Sequence, residues 1–231
     1  MVYAAFGVYR EDVPALKDTG VNDSKALSPT SREAIFARIT KHPLFYHEVD
    51  VIEPHEISRI MSSERAGVNL NSLSHNAAAG LIQRFLTKSL AIKTVYLDTV
   101  GDATKYQEKL QKLFPAIQIV VSTKADSKYV SVGAASIVAK VTRDRLITDI
   151  ERTYGASIGC GYPSDPITVR FLKGIIHPLY GFSENHVRLR WKTCENLIDS
   201  SKNMVEIKFD KKEQKQAPKK FFRKRDRSKA Y

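Results

Sequence analysis

From Lys93 to Asp126 the chain reads as two apolar strands joined by a helix, and each strand runs out near a carboxylate. The first is Thr94-Val95-Tyr96-Leu97-Asp98. The second runs from Ile117 through Val120 and Val121 to Lys124-Ala125-Asp126. Neither carries a turn residue, and an unbroken apolar run suits a strand covered by helices on both faces. In open α/β sheets, function collects just past the carboxyl ends of the strands. Two carboxylates meeting there repel each other until a cation or a proton relieves them. Asp98 and Asp126 are therefore expected to converge and hold a divalent metal. A lone Asp at a strand end more often opens a loop or caps a helix, so it is the pair that carries this reading.

The rest of the chain alternates in the same way, which predicts an α/β layer fold. Met1 to Val8 is an apolar, aromatic strand. Ser28-Pro29 places an N-cap before a proline at the first helical position and opens a helix to about Thr40. A strand follows at Phe45 to Ile52, then a short helix from Pro54. Asn71 to Leu90 is a strong helix. Leu73, Ala77, Leu81 and Phe85 form one apolar row and Ile82, Leu86 and Leu90 a second, a broad face suited to packing on a sheet. A helix from about Ala103 to Phe114 is stopped by Pro115. Ser131 to Thr153 is a long helix whose first half, Val132 to Ala139, is small and apolar enough to lie close to a sheet. Its second half is charged and more exposed. Pro166 to Gly174 and Val187 to Ser200 are the last helices.

Two cysteines in 231 residues make neither a disulfide framework nor a zinc site, and the six histidines lack ligand spacing. No apolar run reaches membrane-spanning length and no secretory leader is visible, so a soluble, intracellular protein with no membrane partner is expected. No phosphate loop of P-loop or dinucleotide-binding spacing occurs, which counts against a nucleotide-binding protein. The net charge of +12 is uneven: residues 208–231 hold 11 Lys and Arg against 3 Asp and Glu, leaving only +4 on the body. The expected divisions are a catalytic layer at 1–165, a helical region at 166–207 and a basic, disordered tail at 208–231. The tail's Lys219-Lys220-Phe221-Phe222-Arg223-Lys224-Arg225 suits nuclear import or non-specific nucleic-acid contact. A nuclear location is expected on that ground, and a cytoplasmic one without it. The Phe221-Phe222 pair has Lys215, not Gln, six residues before it, so no sliding-clamp peptide is assigned.

Two further features bear on a polyanionic ligand. Lys124 stands two residues before Asp126 and could neutralise a phosphate or stay a plain surface lysine. Gly159-Cys160-Gly161-Tyr162-Pro163-Ser164-Asp165-Pro166 presents the Tyr162 ring on a loop of breakers. Such rings stack on bases or sugars, and as often simply pack.

Taken in order, these pieces resemble a known family. Asp23-Ser24-Lys25, Asn69-Leu70-Asn71-Ser72-Leu73-Ser74-His75, Tyr96 to Gly101, Lys124-Ala125-Asp126, Ala134 to Asp144 and Gly159 to Pro166 look like the type 2 ribonucleases H. That family comprises the catalytic (A) subunits of the eukaryotic enzymes and the related bacterial ribonuclease HII. The resemblance covers Met1 to about Ser200. It implies a ribonuclease H-like mixed sheet flanked by helices, with a helical C-terminal extension. It also implies endonucleolytic cleavage of RNA in RNA–DNA hybrids and 5′ of single ribonucleotides in duplex DNA, with Mg2+ or Mn2+. Carried over by position, Asp98 and Asp126 are catalytic metal ligands, Tyr162 stacks on the sugar at the DNA–RNA junction, and Lys25 and Asn69 hold the substrate backbone. Two accessory subunits of a heterotrimer are implied, and they are expected to dock beyond about Pro166.

One departure bears on all of this. In the family an Asp-Glu-Ala-Gly-Arg-Gly strand end precedes the segment that Met1 to Ala5 resembles, and the sequence given starts after it. That segment holds two of the four site carboxylates, the loop that senses the ribose 2′-hydroxyl and the first central strand. Without it the two neighbouring strands lose hydrogen-bond partners and metal is expected to be held poorly. The alternative to an endoribonuclease is then a non-catalytic nucleic-acid-binding or scaffold subunit that keeps the fold.

Overall fold

The computed structural model describes residues 1–21, 27–62, 69–88, 90–178, 180–183 and 186–200. Lys25 and the basic tail lie outside the described residues. Four strands are present, β1 (Val2–Val8), β2 (Phe45–Val51), β3 (Thr94–Asp98) and β4 (Gln118–Ser122). They form two separate pairs: β1 with β2 antiparallel, and β3 with β4 parallel. Among the described residues the pairs are not hydrogen-bonded to each other.

The same helices cover both pairs. These are α4 (Leu70–Thr87) and α7 (Val130–Tyr154). Side chains alternate along a strand, and β1 shows it. Ala4, Phe6 and Val8 pack into a core with Ala134, Ile137, Val138 and Val141 of α7. On the other face the Tyr3 hydroxyl hydrogen-bonds the Ser74 hydroxyl of α4 at 2.7 Å, and the Phe85 ring rests against Gly7. β3 is sandwiched likewise. Val95 and Leu97 face a second core built from Ile82 of α4, Ile119 of β4, and Tyr106 and Leu110 of α5 (Ala103–Leu113). On the opposite face Tyr96 stacks on Tyr129, just before α7, with centroids 4.1 Å apart. That strand is less covered than its apolar run suggests, because Tyr96 stays 39% exposed and Asp98 is exposed too.

The first core also takes Leu16 of α1 (Val13–Asp18) and Ile35 and Ile39 of α2 (Pro29–Lys41). Ser28 caps α2 with Pro29 at its start, as the sequence predicts: its hydroxyl accepts the Ser31 N–H at 3.1 Å. A third core, Leu172, Phe182, Val187 and Cys194, joins α8 (Pro166–Ile175) to α9 (Lys192–Ser200).

Three expected elements are shorter than read, and the first, the helix read to Leu90, ends at Thr87. The strand read to Asp126 stops at Ser122, because Lys124 adopts left-handed backbone (φ 53°) and turns the chain into α6 (Ala125–Lys128). The helix read from Val187 starts at Lys192. Buried Ser58 of α3 (Pro54–Ser62) holds the preceding residues as a turn, accepting the Leu189 N–H at 3.0 Å and donating to the Val187 carbonyl at 3.4 Å.

Among the described residues β1 has a strand partner on one flank only, which gives a test. Met1 and Ile52 exchange both backbone hydrogen bonds, at 2.5 and 2.8 Å. Antiparallel pairing alternates, so Ala5 and Gly7 donate towards β2 while Ala4 and Phe6 point away from it. Amide hydrogen exchange is expected to run faster at Ala4 and Phe6 than at Ala5 and Gly7. Equal protection along the strand would show that the flank is covered.

Candidate active site at the rim of the parallel strands

β3 delivers Asp98 to its carboxyl end, opposite Ser122 in the register of β4. Two backbone groups fix the carboxylate. The Thr99 N–H donates to Oδ1 at 3.0 Å and the Ala125 N–H to the same oxygen at 3.2 Å. The second bond comes from the residue just before Asp126, so the left-handed turn at Lys124 brings Asp126 to the rim where Asp98 sits. Asp126 stands in the first turn of α6, half-buried, with the Ser127 hydroxyl 3.5 Å from its Oδ1. It is therefore a helix-start residue rather than a strand-end one.

The loop leaving β3 is gripped by α4. Gly101 has φ 73°, and a Cβ there would lie 2.9 Å from Asn71 Nδ2, so that position needs glycine on both counts. The His75 ring meets the Val100 carbonyl at 3.0 Å and lies flat on Tyr106, with centroids 3.9 Å apart. Burial pushes the Tyr106 phenol up to about 12. Asn69, four residues before Leu73, is the N-cap of α4. Its side-chain oxygen accepts the Ser72 N–H at 2.9 Å, and the Ser72 hydroxyl accepts the Asn69 N–H at 3.0 Å. That capping box occupies the oxygen and leaves the amide group of this exposed residue for other partners. Lys124 is exposed at the bend.

A second part of the surface is the loop after α7. Tyr162 is 54% exposed, and the Arg143 guanidinium lies 4.4 Å from its ring centroid. Asp165 ties the loop together. Its carboxylate accepts the Cys160 N–H at 2.6 Å and the Ile167 N–H at 2.9 Å, and it caps α8. These bonds, the Cys160 one foremost, hold its carboxyl down at about 2. Cys160 is exposed on this loop, whereas Cys194 is buried in the third core and its thiol is pushed up to about 11 by that burial.

Two carboxylates at one rim are the hard oxygen donors that Mg2+ or Mn2+ prefers. In kind the residues fit such an ion, but in number they fall short: among the described residues no three His, Cys, Asp or Glu are grouped so as to hold one. The roles of Arg143, Asn71 and His75 escape a reading of the sequence. Arg143 sits in the half of α7 that its charges mark as exposed, and nothing in the spacing shows that a loop some twenty residues on folds back over it.

The layers belong to the ribonuclease H-like class. The structure of Bst-RNase HIII in complex with Mn2+ superposes with a TM-score of 0.72 at 20% identity, over 86% of this chain and 64% of that one. RNase HII in the PCNA:RNase HII complex from Archaeoglobus fulgidus superposes with a TM-score of 0.70 at 33% identity, over 85% of this chain and 88% of that one. Residues 1–194 match the family Ribonuclease HII, and the chain belongs to that family. Over 200 residues it is 40% identical to the A subunit of Ribonuclease H2 from Bos taurus. The match takes in 82% of this chain, which spans 64% of the bovine protein's length.

The pH behaviour of Asp165 follows from its bonds. A depressed carboxyl contributes stability that is complete above its ordinary value of 3.8 and is lost as pH falls through about 2. The amide resonances of Cys160 and Ile167 are expected to titrate near the lower value, and Asp165→Asn to abolish that titration. A midpoint at the ordinary carboxylate value would show that the bonds do not form in solution.

Proposed function

We propose that this chain is the catalytic part of a type 2 ribonuclease H, cutting RNA in RNA–DNA hybrids and 5′ of single ribonucleotides in duplex DNA. The observation that supports the proposal is the hydrogen bond from the Ala125 N–H to the Asp98 carboxylate, which sets Asp98 beside the residue that precedes Asp126. Membership of the Ribonuclease HII family supports it.

In this reading Asp98 and Asp126 would hold Mg2+ or Mn2+. When bound, such ions activate water and stabilise the leaving oxygen of a phosphodiester. The chain's own groups do the positioning. Thr99 and Ala125 hold Oδ1 of Asp98, and among the described residues Oδ2 carries no hydrogen bond, so it is available to a ligand. Lys124 places a cation at the bend, where it offsets phosphate charge. The Asn69 amide group and Lys25 contact the substrate backbone, and Tyr162 stacks on the sugar at the DNA–RNA junction. Accessory subunits, implied by the naming of the bovine relative as one subunit of an enzyme, would dock on the helical region beyond Pro166 and leave the rim open.

The test is cleavage of a DNA duplex carrying one ribonucleotide, with and without Mg2+. Metal-dependent cutting is expected, weak because among the described residues only two carboxylates are on hand to hold the ion, and Asp98→Asn should lower its rate by more than about 100-fold, since even partners that only orient metal ligands are worth roughly 10–100-fold. Binding of the duplex should survive the substitution. Binding without any cutting by the unaltered chain would overturn the proposal in favour of a non-catalytic nucleic-acid-binding subunit.

A further inference from the structure

The Tyr162 ring is the most exposed aromatic group of its loop, yet it is not left to rotate freely. Arg143, half-buried in the middle of α7, lies over it at 4.4 Å from the centroid. The same guanidinium reaches the backbone: its Nη2 donates to the Cys160 carbonyl, two residues before the ring. Its Nη1 donates to Asp144 at 3.0 Å, which fixes the fork from the helix side. Gly161, between the two contacted residues, has φ 69°. A Cβ there would fall 2.9 Å from Ile147 Cδ1 and 3.2 Å from Arg143 Nη2, so the loop packs down on the helix only with glycine at that place. From the other side Asp165 takes the Cys160 N–H, and the Thr168 hydroxyl takes the Gly161 N–H at 3.0 Å while donating to the Ile158 carbonyl at 2.7 Å. Thr168 is buried, so that side is rigid.

These contacts have a division of labour. Asp165 and Thr168 fix the loop backbone. Arg143 both hydrogen-bonds the loop backbone and lies over the face of the phenol. A planar cation does what a point charge cannot: it stacks on the ring while its edge hydrogen-bonds a carbonyl.

We infer that Arg143 is a positioning residue for Tyr162. It covers one face of the ring and so presents the other, at a set tilt, to the sugar of a nucleic acid. The inference rests on the proposed role of Tyr162 as a stacking platform. A ring free to rotate must be ordered on binding, and that ordering cost weakens the complex. Arg143 meets it beforehand, so its effect on binding passes through Tyr162 and not through a contact of its own.

The experiment uses the full 231-residue chain with 3-fluorotyrosine placed at position 162, and a dye-labelled DNA duplex carrying one ribonucleotide. In the free protein, Arg143→Met is expected to shift the fluorine resonance and Arg143→Lys to restore it only in part. In anisotropy titrations Arg143→Met is expected to weaken binding about tenfold, in the range that one stacked ring supplies. In a Tyr162→Ala background the same substitution should add nothing. An unmoved fluorine resonance overturns the inference. So does an equal loss in both backgrounds, which would make Arg143 a phosphate contact in its own right. If Tyr162→Ala leaves binding intact, the stacking role falls and the effect on binding falls with it. The fluorine resonance then still decides whether Arg143 holds the ring.

Discussion

What makes one domain of two unconnected strand pairs is the packing of α4 and α7 across both. No ladder of hydrogen bonds runs between β1 and β3 among the described residues, so cohesion in that direction comes from side chains. α7 sets Ala134, Ile137, Val138 and Val141 against β1 and β2. α4 sets Phe85 and Ser74 against β1, and Ile82 against the core under β3. Hydrophobic burial is non-directional, whereas a backbone ladder fixes register.

The rim inherits that arrangement. Asp98 and Asp126 both belong to the β3–β4 half, and the bond from the Ala125 N–H ties Asp98 to the turn that carries Asp126. Tyr162, by contrast, depends on α7, which spans both halves. α7 begins directly after α6, so the stretch that carries Asp126 and the helix that carries Arg143 are separated by a single residue, Tyr129. Tyr129 is itself pinned on Tyr96 of β3. Asp126 and the helix that supports the ring are thus carried on one continuous piece of chain, and Asp98 reaches it from β3.

Much of the fold is visible in the sequence because its signals are local. The N-cap at Ser28, the apolar rows of α4 and the stop at Pro115 each act within a turn or two. The turn at Lys124 is not visible: a lysine with φ 53° gives no compositional sign, and the apolar run before it reads on as strand. The start of α9 is hidden for a different reason, since Ser58, more than a hundred residues away, holds the preceding turn. At the site, residue types and strand ends point to Asp98 and Asp126. What the sequence leaves out is how they are held. The donors to Asp98 are backbone groups, which no side-chain pattern encodes, and Asn69 has a capping duty that its place in a motif does not reveal.

The two thiols differ in a way that bears on handling the protein. Cys194 is sealed in the C-terminal core with its proton tightly held, while Cys160 sits in the open, flanked by Arg143 and Asp165 and two residues from the ring. Maleimide chemistry needs thiolate and access, and only one of the two offers the access. A fluorophore added without any mutagenesis therefore lands beside Tyr162, where its emission would report arrival and departure of a ligand. By the same logic, oxidative damage in storage would begin at that loop and leave the core untouched.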